Sequence, residues 1–235
     1  MIVSHDFFVG FREVDINSKM KNSAILNIFQ DIAGIHSIKI GKKFTGLDST
    51  WILISYKVNI IKRPEYGDIL TAYTWVTDMK NLISAREFEI RNQNGEIVVT
   101  AISNWAHMSN NKLTKITDET IKAYDVEPNK SNYNELKLKK LQLPEKFLNE
   151  KIYEIDWNWI DVNRHMNNIY YMDLVDMIAL DKYKVQSCSS FEIMYKKEVK
   201  LGEKVRCFYT EQENLEFVVI KSEDLSVLHT VIKLG

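Results

Sequence analysis

The sequence predicts an α+β fold made twice in tandem, each half a long helix packed on an antiparallel sheet. Three observations carry that prediction. An apolar pattern at helix spacing occurs once in each half, over residues 22 to about 40 and 168 to about 182. Each is followed by a run of segments rich in β-branched and aromatic residues, separated by turn residues. The two halves also align with each other. Residues 14–33 superpose on 160–179 at an offset of 146 with six identities: Asp15/Asp161, Asn17/Asn163, Met20/Met166, Asn22/Asn168, Ile32/Ile178 and Ala33/Ala179. Beyond the helix the offset becomes 135, which sets Gly67-Asp68 on Gly202-Glu203 and gives the first half an 11-residue longer connection. Self-similarity over so long a period marks tandem copies of one structural unit.

The elements follow in order. The N-terminal stretch reads as an edge strand with a turn at Gly10. The first helix places Ile25, Leu26, Ile28, Phe29, Ile32, Ala33 and Ile35 on one face. Asn22 or Ser23 is its expected cap, and Gly41 its expected end. Strands are predicted over 51–61, 69–77, 84–91 and 97–108. Arg63 to Asp68 forms a turn around Pro64 and Gly67, and Asn92-Gln93-Asn94-Gly95 a hairpin turn. A short helix is expected over 117–123. Residues 127–150 are polar, rich in Lys and Asn, and carry Pro128 and Pro144, so they read as the inter-repeat linker. The division is then an N-terminal unit at 1–126, the linker at 127–150 and a C-terminal unit at 151–235. The second half repeats the order: a strand over 151–158, a helix with Ile169, Met172, Leu174, Val175, Ile178 and Ala179 apolar, and strands over 188–201, 204–212, 215–221 and 227–234. One long helix against a wrapping antiparallel sheet, made twice, is the tandem (double) hotdog architecture.

Bulk properties narrow the function class. The 235 residues suffice for one large domain or two small ones sharing a core. A net charge of −1 gives no basic field for nucleic acid. No stretch approaches the roughly 20 apolar residues of a membrane span. The N-terminus carries neither a signal-peptide pattern nor an Arg/Ser-rich transit pattern, so a bacterial cytoplasmic setting is expected. Cys188 and Cys207 are too few for a disulfide framework or a zinc site and are expected as buried free thiols. No metal-ligand cluster is visible, and no cofactor is implied.

The chemistry concentrates in Asp161-Val162-Asn163-Arg164-His165-Met166-Asn167-Asn168, which packs a carboxylate, an amide and an imidazole into five residues ahead of a helix. Asp-x-Asn in that place also serves as a plain helix cap. The first-half copy, Asp15 to Asn22, has Lys19 where the second has His165, and capping is the favoured reading there. His5, His36, His107 and His229 are scattered and read as structural or exposed. Trp51, Trp75, Trp105, Trp157 and Trp159 read as core.

Asp161-x-Asn163-x-His165-Met166-Asn167-Asn168-x-x-Tyr171 resembles the signature of the acyl-acyl carrier protein thioesterases of plant plastids and bacteria. Tyr195-Lys196-Lys197-Glu198-Val199 resembles the Tyr-Arg-Arg-Glu-Cys run of the plant members. Trp51-Ile52, Arg63-Pro64, Gly67-Asp68, Thr74-Trp75-Val76, Asn104-Trp105 and Asn111-Lys112-Leu113-Thr114 extend the likeness over nearly the whole chain. The resemblance implies a double hotdog in one chain and hydrolysis of the thioester between a fatty acyl chain and the phosphopantetheine arm of acyl carrier protein. It implies a catalytic set of Asp161, Asn163, His165 and Glu198, an acyl pocket in the N-terminal half, and a homodimer. One departure matters. Val199 stands where the plant run has Cys, which excludes a thiol nucleophile there and favours attack by water with Glu198 as base.

These residue types suit that reaction. Thioester hydrolysis needs a base for water and a donor for the developing oxyanion. Glu198 is expected as the base if partial burial holds its pKa near neutral. Asn163 offers an amide, Asp161 can hold Asn163 or His165, and backbone N–H groups near Met166–Asn168 are expected to point outward as oxyanion donors. At offset 135 Glu198 faces Arg63, so the first half lacks both imidazole and base and reads as structural. Two alternatives stand beside this reading: a hotdog thioesterase preferring acyl-coenzyme A, and a non-catalytic acyl-binding protein. Lys137-Leu138-Lys139-Lys140 either meets an acidic carrier protein or is a solvated loop.

Overall fold

A single antiparallel sheet runs through both halves of the computed structural model, which describes residues 1–41, 49–110, 112–180 and 188–235. The first half holds β1 (Val3–Phe8), α1 (Asn22–Lys39), β2 (Ser49–Ile60), β3 (Ile69–Lys80), β4 (Ile83–Arg91), β5 (Ile97–Ser109), β6 (Lys112–Leu113) and α2 (Asp118–Tyr124). The second holds β7 (Glu150–Glu154), a 3-10 turn (Trp157–Trp159), α3 (Tyr170–Leu180), β8 (Ser190–Tyr195), β9 (Lys204–Gln212), β10 (Leu215–Ser222) and β11 (Leu228–Leu234). Strand order is β1-β3-β4-β5-β2-β8-β11-β10-β9-β7, with β6 paired to β5. The order is the same from either end once each strand is exchanged for its counterpart in the other half. The β2–β8 pair, Ser55 opposite Met194 to Asn59 opposite Ser190, is therefore a pseudo-two-fold seam. This is the tandem hotdog that the repeat predicts.

The duplication extends to single hydrogen bonds. Val9 N–H donates to Asp68 O and Gly67 N–H to Val9 O; in the second half Ile155 N–H donates to Glu203 O and Gly202 N–H to Ile155 O. Gly67 (φ 91°) and Gly202 (φ 75°) both take the left-handed conformation that these turns need.

Strand alternation sorts the side chains into two layers. On one face lie α1 and α3, with Ile25, Phe29, Ile32, Met172, Val175 and Ile178 buried against Leu70, Phe88, Val58, Phe191, Val205 and Ile232. The other face is polar along β3 to β5, and residues 127–150 run across it as a strap. Trp75 Nε1 donates to Lys130 O (2.8 Å), and Tyr133 OH lies 3.1 Å from Thr100 Oγ1. Asn104 donates to Leu136 O and accepts from Leu138 N–H (both 2.8 Å). Farther along, Leu141 packs on the cluster of Met194, Phe208, Val219 and Val231. The fully buried Glu87 carboxylate accepts from Ser131 Oγ (2.5 Å), Asn132 N–H (2.7 Å) and Thr77 Oγ1 (3.1 Å). Glu87→Ala would orphan these donors. Thr77, buried, then lacks an acceptor at ~1–3 kcal/mol, and the strap loses its ties from exposed Ser131 and Asn132, read in urea unfolding, with faster protease cleavage within 127–150.

Several expectations need correction. Lys21, not Asn22 or Ser23, occupies the N-cap of α1, and no side chain caps it. The Asn22 amide is drawn away, accepting from Arg63 Nη1 (3.0 Å) and donating to Cys188 Sγ (3.4 Å). Gly41 does end α1, with φ 79° and its N–H on Ile38 O. The strand expected over 151–158 stops at Glu154, because the Asp156 carboxylate caps the 3-10 turn through Trp157 N–H (2.6 Å). The strand expected over 188–201 is only β8, after which Lys196 N–H turns to His229 O. Helix α3 begins at Tyr170 rather than 168, and its expected end near 182 lies outside the described residues. Both cysteines are free, but only Cys207 is fully buried. Trp157 is 74% exposed and is no core residue.

Candidate functional site

The motif loop before α3 is a tight backbone ring. Asp161 N–H donates to His165 O (3.0 Å), Arg164 N–H to Asp161 O (3.0 Å), and Arg164 sits at φ 66°. The Asp161 carboxylate accepts from Asn163 N–H (2.8 Å) and Asn163 Nδ2 (3.2 Å), and lies 3.8 Å from His165 Nδ1. One carboxylate thus holds the amide through two hydrogen bonds and lies near the imidazole, beyond hydrogen-bond distance. Met166 N–H then donates to Val199 O (2.7 Å), stitching the loop to the turn that carries Glu198. Met166 and Val199 are buried beneath this tie, so His165 and Glu198 are set side by side at the surface. The structure therefore brings all four predicted residues into one cluster.

Glu198 differs from expectation. Its pKa is lowered, not raised toward neutrality. The hydrogen bond from Lys197, whose Nζ is 3.0 Å away, is the largest cause. A backbone N–H and the nearby His165 act in the same direction, and at 38% side-chain exposure desolvation is too weak to oppose them. The backbone donors also need correction. Met166 N–H is spent on Val199 O and Asn167 N–H on Trp159 O, because α3 starts later than the sequence suggests. Of the three groups expected near 166–168, Asn168 N–H alone is unbonded among the described residues.

Some supporting residues escape sequence reasoning. Buried His229 lies with Nδ1 3.0 Å from Lys197 O and accepts Lys196 N–H on its own carbonyl, so it underpins the Glu198 turn. Tyr195 OH donates to Asn168 O (3.1 Å), and its ring meets Tyr171 edge-on at 5.5 Å. Burial, first, and the Glu198 charge, in smaller part, push the Tyr171 pKa up. His229 is 30 residues from any motif, and nothing in its local sequence marks it.

The first half repeats the backbone with other side chains. Asp15 Oδ1 accepts from Asn17 N–H (2.8 Å) and Lys19 N–H (3.0 Å), Ser18 has φ 61°, and Met20 N–H donates to Pro64 O (2.8 Å). Lys19 pairs with Glu65, and Arg63 stands in the place of Glu198. Arg63 donates to Met20 O (2.7 Å), Asn22 Oδ1 (3.0 Å) and Cys188 O (2.6 Å). A cavity of about 460 Å³ opens here, lined by Asp15, Arg63, Trp159, Asp176 and Cys188 among others. None of Asp161, Asn163, His165 and Glu198 lines it. Burial, and then Asp173, push the Asp176 pKa up to about 7.

The described residues include no helix long and apolar enough to cross a membrane. Two family descriptions match the chain in tandem: acyl-ACP thioesterase N-terminal domain over residues 2–124 and acyl-ACP thioesterase C-terminal domain over 143–233. A chloroplastic acyl-[acyl-carrier-protein] hydrolase of Cuphea viscosissima is 25% identical over 83% of this chain and 51% of its own length. A chloroplastic oleoyl-acyl carrier protein thioesterase of Arabidopsis thaliana is 26% identical over 72% and 52%. The chain thus spans about half the length of these curated relatives. The fold superposes on an acyl-ACP thioesterase from Bacteroides thetaiotaomicron with a TM-score of 0.86 (22% identity, 99% of this chain, 96% of that one). It superposes on the 12:0-ACP thioesterase from Umbellularia californica with a TM-score of 0.84 (21% identity, 100% and 96%). With the two descriptions covering nearly all of it in order, the chain belongs to the acyl-ACP thioesterase family.

Proposed function

We propose that this protein hydrolyses fatty acyl-acyl carrier protein thioesters to free fatty acid and carrier protein, ending fatty-acid synthesis. One observation carries the reading: an amide held by Asp161 and the neighbouring imidazole of His165 lie beside an ionised Glu198 in one half of a duplicated fold, while the other half has Lys19 and Arg63 in those places. Asp161, Asn163, His165 and Glu198 are the catalytic set. Glu198 takes a proton from water as the new C–O bond forms. Asn163 and the unbonded Asn168 N–H stabilise the oxyanion. The C–S bond then breaks, and the departing sulfur receives the proton from Glu198. Val199 offers no thiol, so no acyl-cysteine forms. The acyl chain lies in the N-terminal unit, residues 1–126, with 127–150 as linker and 151–235 as the catalytic unit. A bacterial cytoplasmic homodimer accompanies the reading as its expected setting.

The low Glu198 pKa has a definite consequence. The carboxylate is ionised at neutral pH and protonates only as pH falls below the ordinary glutamate range, so Glu198 itself should impose no fall in kcat/KM until well into acid. Lys197→Met removes the largest cause of the depression, and the acid limb should move to higher pH. A pH profile of both proteins checks this.

Arg164, Lys196 and Lys200 are exposed around the site and form a basic rim that suits an acidic carrier protein. Reversing all three to Glu should raise KM for acyl-carrier protein about tenfold, at ~0.5 kcal/mol per rim charge. The matched acyl-coenzyme A, itself phosphate-bearing, is the control: an equal rise in its KM would mean that the rim reads phosphate and not the carrier protein. The reading is tested by free acid released from a chain-length panel of acyl-carrier proteins with matched coenzyme A esters. Release from the carrier protein supports it. Release from coenzyme A alone makes the protein a general thioesterase, and acyl retention without release makes it a binding protein.

A further inference from the structure

Arg63, in the place that corresponds to Glu198, opens on a cavity that the proposed reaction does not use. The cavity measures about 460 Å³ and touches none of the four candidate catalytic residues. That volume lies within the ~300–1,000 Å³ of small-molecule sites. Its apolar wall comes mostly from the second half: Val175 and Ala179 on α3 and Leu234 on β11, all buried. The proposed substrate chain, by contrast, lies in the first half.

The polar end of the cavity holds one cation and one acid that do not satisfy each other. Arg63 has five N–H groups, spends three on Met20 O, Asn22 Oδ1 and Cys188 O, and keeps two. Half-buried Asp176 is close enough to feel the Arg63 charge, yet makes no hydrogen bond or ion pair among the described residues. The other two acids of the wall are already matched. Asp15 accepts from the Asn17 and Lys19 N–H groups, and Asp173 is hydrogen-bonded to Ser23 with Lys21 nearby. Burial, first, brings the Asp176 pKa up to about 7, so this carboxyl takes a proton readily near neutral pH. A carboxylate removed from water without a donor is destabilising, and this chain supplies none.

We propose that this cavity is a second, non-catalytic site that binds a free fatty acid through Arg63 and Asp176. A carboxylic acid head has one O–H for Asp176 and one carbonyl oxygen for the spare Arg63 N–H groups. Two carboxyl groups then share one proton beside one guanidinium, and the three groups together are neutral. The chain lies on Val175, Ala179 and Leu234, where each buried methylene tightens binding about fourfold. An ester or thioester keeps the carbonyl but has no proton to give Asp176, so the site tells the free acid from its esterified form. That the ligand is the product of this protein's own reaction rests on the thioesterase reading above.

Cys188 reports on occupancy, because its thiol lines the cavity. Cys207 is fully buried, and burial pushes its thiol up to about 12, so it stays unmodified in the folded chain. The test is the rate at which methyl methanethiosulfonate modifies Cys188 in the full chain, with dodecanoic acid or methyl dodecanoate added. Saturating dodecanoic acid should slow the modification at least tenfold. Methyl dodecanoate should need a concentration about tenfold higher for the same protection, the worth of one hydrogen bond to a charged group. Asp176→Leu should weaken protection by the acid about tenfold and leave protection by the ester unchanged. Should Asp176→Leu fail to fold by circular dichroism, Asp176→Asn keeps the size and should weaken protection by the acid about threefold. No protection by the acid, or equal protection by acid and ester in the wild type, overturns the inference. Acid release is measured on the same preparations. Release without protection removes this site alone, whereas protection without release leaves the site standing and removes the thioesterase reading.

Discussion

Glu198→Gln should lower kcat/KM for acyl-carrier protein hydrolysis by ~10²–10⁴-fold, the span of a lost general base. The substitution keeps the size of the side chain and its ability to accept from Lys197, so the turn that His229 supports should stay in place. Glu198 is exposed and contributes little packing, and the melting temperature should move by no more than a few degrees. The loss should fall on kcat, because an amide accepts a hydrogen bond from water but does not take its proton. Arg63→Gln, at the equivalent place in the first half, should behave in the opposite way. It removes three hydrogen bonds that tie the turn after β2 to Met20, to Asn22 at the start of α1 and to Cys188, so stability falls while kcat is spared. The pair of variants separates the catalytic half from the structural half.

Asp161→Ala should be the second most damaging change. Asp161 is the one group that holds Asn163 through two hydrogen bonds and lies within reach of His165. Without it the amide loses its orientation, and one oxyanion donor is worth ~2.7–4 kcal/mol, or about 10²–10³ in kcat. Asp15→Ala is the built-in control. Asp15 accepts the same kind of backbone hydrogen bonds in the same kind of loop. Its loss should therefore cost two loop hydrogen bonds, ~0.5–1.5 kcal/mol each, without a comparable fall in kcat. Steady-state kinetics and urea unfolding on both variants measure the two effects. Equal kinetic losses would mean that the motif acts only as a loop brace.

The fold was legible because duplication leaves a pattern that local chemistry does not blur. Asp15/Asp161 and Gly67/Gly202 mark the same turns in each half, and the alternation along β3, β4 and β5 is set by which layer each side chain meets. The strap was legible only as a polar linker. Its path depends on Glu87 and Asn104, whose partners lie 32 to 45 residues away in the chain. The cap of α1 was misread because Arg63 and Cys188 compete for the Asn22 amide, a tertiary contact that overrides a local preference. At the site, the residue types and their spacing were readable from the motif, whereas the pKa of Glu198 was not. That pKa depends on Lys197 folding back over its neighbour and on the turn lying at the surface.

The central claim is that water, activated by Glu198, attacks the thioester directly. A single turnover in ¹⁸O-water, with protein in excess over acyl-carrier protein, tests it most directly. The account predicts one ¹⁸O atom in the released fatty acid and none in the Glu198 peptide. Label in Glu198 with an unlabelled acid would mean that the carboxylate itself attacks the thioester and forms an anhydride, and would contradict it.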